Sequence, residues 1–468
     1  MYKIVKQEIL ASVLVLATFI TSFFLLQIPE IYNLTIGNMI PKYEYEVVSK
    51  KIKPNAENKP FTNFTYKNVI NWDAAQYKNI RDHLYKQINL DSEENLAFYP
   101  MFPVVWRFSL IDSKYIVFFN YFLFIAGLII LSTLFMGSSP SRLTFFLLAL
   151  ILPSAIVFYL PYAESLFVLT MAVAIWGLFK QKYWIYFIGA FMFSLTRPSS
   201  LIFMVALLSV DFVYYIRHGH FKHFIKELSK TLFPYITGFI VITGIQFYYT
   251  HSLTAYFDAL ELWPVETGLF NPIKDWSVEG FGMNSFAICC VGLPAFVYVI
   301  IFGIRSLISF KKDVPVSLYG DNTEWKKEYL YKASLFFIVG NVFHAIFISG
   351  DEINGFSRYT MSVPFFFIIL FSLPKKLQSQ KLKNKIILLL LCLSALFMFL
   401  AFVDYGGNRF RFQYMGLYLF IAFLPFVIFE ANLSRKVKLI ILFLMIIPCI
   451  IWQTYLFNIF LSNGWLYT

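Results

Sequence analysis

A series of about thirteen apolar segments constrains the fold of this chain more than any other feature. A bilayer core of about 30 Å needs roughly 20 apolar residues per crossing helix, and most of these segments approach that length. The alternating pattern of about ten residues that marks a membrane β-barrel strand is absent from the sequence. The sequence therefore predicts an all-α polytopic membrane protein with about thirteen transmembrane helices. The segments run at roughly 8–27, 115–136, 143–160, 163–180, 183–195, 198–216, 233–251, 285–308, 329–349, 357–374, 385–404, 412–430 and 438–460.

The composition also favours a membrane protein. Hydrophobic residues make up 59% of the 468 residues and charged residues only 14%, which exceeds the apolar content that a soluble core of this length needs. The four cysteines lie inside apolar segments, a placement that predicts neither a disulfide framework nor a metal site. They are Cys289, Cys290, Cys392 and Cys449.

The formal net charge of +12 would favour a nucleic-acid partner in a soluble protein, but here the basic residues are grouped between apolar segments. If the N-terminus is cytoplasmic, all of these groups fall on the cytoplasmic side, as the positive-inside rule requires. We therefore expect the lipid bilayer as a partner and no nucleic acid. We interpret His218, His220 and His223 as part of an interfacial basic segment rather than as metal ligands. The basic groups lie at residues 217–230, 311–312, 326–327, 375–385 and 435–438.

Residues 1–468 are predicted to form a single membrane domain. The first apolar run is predicted to be a retained helix rather than a cleaved signal, because it is long and has no clear small-residue cleavage site. This orientation places residues 28–114 in a long first extracytoplasmic loop that carries interfacial helices. Residues 115–468 then supply the remaining transmembrane helices.

Asp73 is the strongest candidate for a catalytic group. Apolar residues recur after it at three- and four-residue spacing, which predicts a helix over residues 73–90 that begins at this acid. An acid beside Trp72 at the start of an interfacial helix is placed to accept a proton from a hydroxyl held against an aromatic surface. The alternative is a structural role as the N-cap of the helix, a position that Asp favours.

Arg197 is the first candidate anion-binding residue. Residues 183–216 are too few for two ordinary spans and a turn, so the turn that carries Arg197 should be recessed and face a cavity. A guanidinium at membrane depth needs an anionic partner, and phosphate is the natural one when the partner is a lipid. The alternative is an ion pair with Glu164, which is also predicted to be recessed.

Arg358 is the second candidate anion-binding residue, in a connection that is more polar than a tight turn requires. Asp351 and Glu352 precede it, and an ion pair with either of them is the alternative to phosphate binding. Charged residues at the membrane boundary are usually functional. We therefore expect this connection to contribute to the site.

Five short motifs follow one another along roughly the first 375 residues. In this order and topology they resemble the PIG-V family of mannosyltransferases, which in eukaryotes adds the second mannose to GPI anchors. Ala74 departs from the glycine that the family favours there, and Tyr99 replaces a more common Phe. The motifs are Trp72-Asp73 with Tyr77 and Ile80, AFYPMFP at 97–103, PYAESLF at 161–167, LTRPS at 195–199, and FSRY at 356–359 ahead of Pro364.

The resemblance implies a GT-C type membrane glycosyltransferase that takes its sugar from a polyprenyl or dolichyl phosphate on the non-cytoplasmic face. The catalytic acid in the first outer loop of such enzymes corresponds to Asp73. We therefore predict inverting transfer of a sugar, mannose by resemblance, to a glycan or glycolipid acceptor, with Arg197, Arg358 or both on the donor phosphate. No cofactor or metal is expected, since a phosphate-linked donor can leave onto fixed cations. The predicted substrate-binding residues are Trp72, Tyr77, Tyr99, Tyr162, Glu164, Asp351 and Glu352.

Two other functions fit parts of the pattern. A transporter or flippase of lipid-linked sugars would also need many helices and buried arginines, but such proteins usually carry internal repeats, and this chain shows none. A GT-C type ligase acting on protein or lipid shares the same layout and stays open. The resemblance also leaves open an accessory membrane subunit, which some members need, and the choice between a cell inner membrane and the endoplasmic reticulum.

Overall fold

The computed structural model describes residues 2–37, 64–86, 95–262, 284–308, 317–347, 355–401, 415–464 and 466. Within these ranges every regular element is a helix and none is a strand, which confirms the predicted all-α class. Short π- and 3₁₀-helical segments at Asn33–Gly37, Pro153–Tyr159, Ala287–Gly292 and Glu430–Asn432 accompany the α-helices. The α-helices, numbered in chain order, are α1 (Tyr2–Leu25), α2 (Pro29–Tyr32), α3 (Asp73–His83), α4 (Met101–Ser109), α5 (Ile116–Met136), α6 (Arg142–Ile151), α7 (Glu164–Phe179), α8 (Tyr183–Ser194), α9 (Ser200–His218), α10 (Phe221–Thr250), α11 (Ala255–Glu261), α12 (Leu293–Ile308), α13 (Thr323–Phe347), α14 (Phe356–Met361), α15 (Pro364–Gln378), α16 (Leu382–Ala401), α17 (Met415–Phe429) and α18 (Arg435–Leu461).

Eight helical stretches of the described chain are long and apolar enough to cross a membrane, as expected for an integral membrane protein. They are α1, α5, α9, α10, the π-segment with α12, α16, α17 with its 3₁₀ extension, and α18. A ninth is reached if α6 and the 3₁₀ segment after it form one bent span. The predicted count of thirteen is not confirmed, because helices such as α7, with 16 residues, and α8, with 12, are shorter than the roughly 20 residues of an ordinary span.

The predicted apolar segment 143–160 is broken in the middle. Helix α6 and the following 3₁₀ helix meet at an angle of 75°. The break falls at Leu152, which has an extended ψ of 138° and precedes Pro153; proline disfavours the α conformation in the residue before it. The side-chain amide of Asn120 then donates hydrogen bonds to the carbonyls of Leu160 and Tyr162, which fixes the turn that leads into α7.

Helices α7 and α8 form a closely packed hairpin. A side chain at Gly189 would place its Cβ 2.5 Å from the backbone nitrogen of Ala174, so only glycine allows this approach. The hairpin brings its two open ends together at one end of the bundle. Glu164, the first residue of α7, therefore lies near Arg197, which follows α8.

A fully buried ion pair between α1 and α6 lies elsewhere in the bundle. Glu8 and Arg142 are both 0% exposed, and their closest atoms, Oε2 and Nη2, are 2.5 Å apart. Hydroxyl groups of α5 complete the network: Ser132 donates to Glu8 at 2.8 Å, and Thr133 accepts from Arg142 at 2.7 Å. Buried charges require this kind of partnering.

Candidate active site

Four charged side chains from distant parts of the chain meet in one place, which we call the ion cluster. Arg358 is central: its Nη2 donates to Oδ2 of Asp73 at 2.7 Å, and its Nε donates to Oε1 of Glu164. Nη1 of Arg197 lies 2.8 Å from the same Glu164 oxygen. The cluster contains two carboxylates and two guanidiniums, so its formal charges balance.

Each member of the ion cluster is held at or beside the end of a helix. Asp73 and Glu164 are the first residues of α3 and α7, where the helix dipole favours a carboxylate. Arg197 lies in the turn between α8 and α9. Arg358 lies on the short helix α14, whose preceding residue Gly355 has a φ of 70° that suits glycine.

Exposure falls along the cluster from one side to the other. The side chain of Asp73 is 22% exposed, that of Arg358 13%, that of Arg197 8% and that of Glu164 only 1%. Asp73 therefore lies at the accessible side of the cluster. Glu164 is the most buried member of the cluster, and its carboxylate is the counter-charge for both arginines.

The backbone at Trp72 is strained, and two hydrogen bonds hold it. Trp72 has a φ of 54° and a ψ of −132°, a conformation that is a real outlier for a bulky residue. Its indole nitrogen donates to the carbonyl of Gly464 at 3.0 Å, and the amide of Asn71 donates to the carbonyl of Phe460 at 2.7 Å. The end of α18 thereby fixes the two residues that immediately precede Asp73.

Aromatic side chains surround the ion cluster. The guanidinium carbon of Arg358 lies 4.4 Å from the centre of the Tyr162 ring. Tyr359 lies within 6 Å of both guanidiniums, at 5.6 Å from Arg197 and 5.8 Å from Arg358, and is 42% exposed. Tyr359 was not among the predicted site residues, although it is aromatic and directly follows Arg358 in the sequence.

Tyr77 and Tyr162 are buried and stay neutral in this setting. Burial, with the nearby carboxylates of Glu164 and Asp73, raises the pKa of Tyr77 and of Tyr162 well above the usual range for tyrosine. Burial works to lower the pKa of Arg358, but the same two carboxylates more than reverse this effect and raise it. The tyrosines can therefore donate hydrogen bonds, while Arg358 keeps its positive charge.

The structure places the other predicted site residues in different surroundings. Tyr99 is 2% exposed and packs with Leu195, Ile242 and the ring of Tyr256, whose centre is 5.9 Å away. Trp72, at 37% exposed, is accessible beside Asp73. The acids Asp351 and Glu352 lie outside the described residues, so their predicted pairing with Arg358 is not described.

The geometry bears on two purely structural roles considered for these residues: an ion pair between Arg197 and Glu164, and an N-cap at Asp73. The ion pair between Arg197 and Glu164 is present, and Arg358 shares the same carboxylate. Asp73 is not the N-cap of α3, because Trp72 holds that position and Asp73 is the first helical residue. The helix is also shorter than predicted: it ends at His83, and its buried face consists of Ala74, Tyr77 and Ile80.

Within the described ranges, no group of three or more His, Cys, Asp or Glu residues is arranged to hold a metal ion. Comparison with family models, with curated proteins and with solved structures gives no match for this chain.

Proposed function

We propose that this protein is an inverting, GT-C type glycosyltransferase that moves a sugar from a polyprenyl phosphate donor to a glycan or glycolipid acceptor. The observation that carries the proposal is the meeting of an accessible carboxylate, Asp73, with two buried arginines at one site. The motif resemblance to PIG-V mannosyltransferases supports mannose as the sugar. The positive-inside distribution of basic residues supports an extracytoplasmic site.

The two arginines are the proposed binding site for the donor phosphate. The Nη1 atom of Arg197 is buried and pairs with Glu164 at 2.8 Å, although the contact lacks hydrogen-bond geometry. A phosphate oxygen can therefore share this guanidinium with Glu164. Arg358 already holds two carboxylates through two different nitrogens, so its Nη2 can leave Asp73 and donate to a phosphate oxygen while its Nε stays on Glu164.

In the proposed step, the acceptor hydroxyl oxygen attacks the anomeric carbon while the bond from that carbon to the phosphate oxygen breaks. The hydroxyl proton passes to Asp73, and the bonding electron pair leaves with the phosphate. Asp73 becomes neutral as the phosphate gains a negative charge, so the total charge facing Arg358 does not change. Arg358 can therefore follow the charge from Asp73 to the phosphate, with Glu164 holding both guanidiniums in place.

Removal of the Asp73 carboxylate tests the proposed base. Asp73→Asn should lower transfer of radiolabelled sugar from polyprenyl phosphate by about 10²- to 10⁴-fold, because the base is lost. Asp82→Asn is the matched control: Asp82 lies on the same helix but pairs with Lys78 and Arg81, outside the ion cluster. Thermal unfolding in detergent should show both variants folded. Wild-type transfer by folded Asp73→Asn would rule out the assigned base.

The transporter alternative is tested with the same protein in liposomes. Wild-type protein should transfer labelled sugar to acceptor without moving the labelled donor from one leaflet to the other. Movement of label between leaflets that continues in Asp73→Asn, with no transferred product, would favour a flippase instead. A screen of protein and lipid acceptors would separate a transferase from the related ligase.

A further inference from the structure

A polar cavity of about 350 Å³, separate from the ion cluster, lies between α9, α10 and α13. Helix α9 begins at Ser200, just after Arg197, and its 19 residues cover about 28 Å at about 1.5 Å per residue. The cavity is therefore at the opposite end of α9 from the ion cluster, at the end that carries the basic group 217–230. Its charged lining residues include Asp211, Arg217, Glu227, Glu328 and Lys332.

Several charged groups of this cavity already have partners. Glu227 accepts hydrogen bonds from the hydroxyl of Ser317 at 2.7 Å and from the backbone nitrogen of Leu318 at 3.2 Å. Glu328 pairs with Lys376 at 2.9 Å and lies 3.6 Å from Lys332. These groups shape the cavity without requiring a ligand.

Two charged groups of opposite sign have no ion-pair partner among the described residues. The Oδ2 atom of Asp211 is buried and its carboxylate contacts the hydroxyl of Tyr329, but no Lys or Arg of the described residues pairs with it. The Nε atom of Arg217 is also buried and has no hydrogen-bond partner among the described residues. Buried polar atoms are rarely left in this state unless water, an ion or a ligand completes them.

We infer that this cavity binds a phosphoethanolamine group, with Arg217 on the phosphate and Asp211 on the ammonium. An anion alone would suit Arg217 but would leave the Asp211 carboxylate without a cation, and a cation alone would leave Arg217 without an anion. A group that carries both charges satisfies both residues. The aromatic walls formed by Tyr214 and Trp325 suit the short carbon linker between the charges.

The source that the geometry favours is a phospholipid headgroup. The cavity lies at the junction of two candidate membrane spans, where α9 ends and α10 begins. The large apolar side chains of Phe212 and Phe221, beside cavity residues in the chain, are 50% and 57% exposed, as expected for a surface that faces lipid. Basic pockets between helices at the cytoplasmic end are a known setting for headgroup binding.

Native mass spectrometry of the purified protein in detergent tests this site with four probes: dioleoyl phosphatidylethanolamine, phosphatidylcholine, phosphatidylglycerol and soluble phosphoethanolamine. The wild-type protein should retain the ethanolamine lipid at about one-tenth of the concentration needed for the other two lipids. Phosphatidylcholine cannot donate a hydrogen bond to Asp211, and phosphatidylglycerol carries no ammonium. Equal retention of the three lipids would overturn the inference without any variant.

Two variants assign the residues. Asp211→Asn should abolish the preference for ethanolamine over glycerol headgroups, whereas Arg217→Gln should weaken retention of all three lipids by about tenfold. Lys222→Gln is the matched control, because Lys222 belongs to the same basic segment but does not line the cavity. An unchanged headgroup preference in folded Asp211→Asn would refute the assignment. Binding of soluble phosphoethanolamine as tight as that of the lipid would refute the membrane source.

Discussion

Arg358 connects the two halves of the proposed chemistry. It contacts the accessible carboxylate of Asp73, the buried carboxylate of Glu164 and the ring of Tyr162 with different parts of one guanidinium. Lysine carries the same charge as a single point and cannot make these contacts together. The geometry of this side chain therefore matters more than its charge.

Arg358→Lys should lower sugar transfer by about 10²-fold while the protein stays folded, because the misplaced cation no longer aligns the phosphate with Asp73. Arg107→Lys is the matched control, since Arg107 is exposed on α4 and outside the ion cluster. Initial rates at saturating donor measure the effect. Equal rates for the two variants would argue against a role for the guanidinium fork.

The sequence predicted the four members of the ion cluster but not their arrangement. Their charge and their motifs marked them as unusual in an apolar chain, whereas the sharing of one Glu164 oxygen by two arginines depends on contacts across the fold. Tyr99 shows the limit of motif proximity. Its motif is next to the site, but its ring points to Tyr256, and a motif does not encode the direction of a side chain.

At the scale of elements, the start of α3 depends on the end of α18. Asn71 and Trp72 hold two carbonyls of residues 460–464, and this contact supports a backbone conformation that Trp72 would not adopt by itself. We call this contact the α3–α18 clamp. It positions Asp73 through the two residues before it, one of which, Trp72, is itself predicted to bind substrate.

Asn71→Ala removes one half of the α3–α18 clamp. Transfer should fall by about tenfold or more because Asp73 is less well positioned, while the free energy of unfolding should fall by only about 1 kcal/mol. Asn384→Ala, which removes an exposed hydrogen bond from the start of α16 to Gln380 just before it, is the control. A rate loss that merely follows the loss of stability would indicate a structural role alone.

Sequence reasoning predicted the presence of most helices but not how they break. The lengths of residues 143–180 and 183–216 correctly indicated hairpins too short for ordinary spans. The 75° bend after α6 was missed, because a proline can end a helix or only kink it, and the choice depends on packing around it. The start of α3 was correct, but its end was placed too late because periodicity alone does not locate a left-handed residue such as Leu84, with a φ of 60°.

At the scale of the whole molecule, the buried pair between Glu8 and Arg142 joins the first helix to the bundle. Apolar packing alone holds helices weakly together in lipid, so hydrogen-bonded polar contacts contribute to their association. Neither residue was singled out from the sequence. They are 134 residues apart along the chain, and nothing in the sequence near either one indicated the pairing.

Glu8→Ala should destabilise the protein by about 3–5 kcal/mol, because it leaves Arg142 buried without its partner. Glu30→Ala, at an exposed position after the same helix, should change stability little. Unfolding in denaturant measures both. The double variant Glu8→Leu with Arg142→Met should recover much of the loss, and failure to recover would show that the network contributes more than charge compensation.

The α3–α18 clamp also sets the order in which the molecule can mature. Translation proceeds from the N-terminus, so Asn71 emerges from the ribosome 389 residues before the carbonyl of Phe460 that will hold it. A nascent chain still lacking residues 460–464 lacks the two carbonyls that accept hydrogen bonds from Asn71 and Trp72. The carboxylate of Asp73 can thus reach its final position only after synthesis of that distant segment.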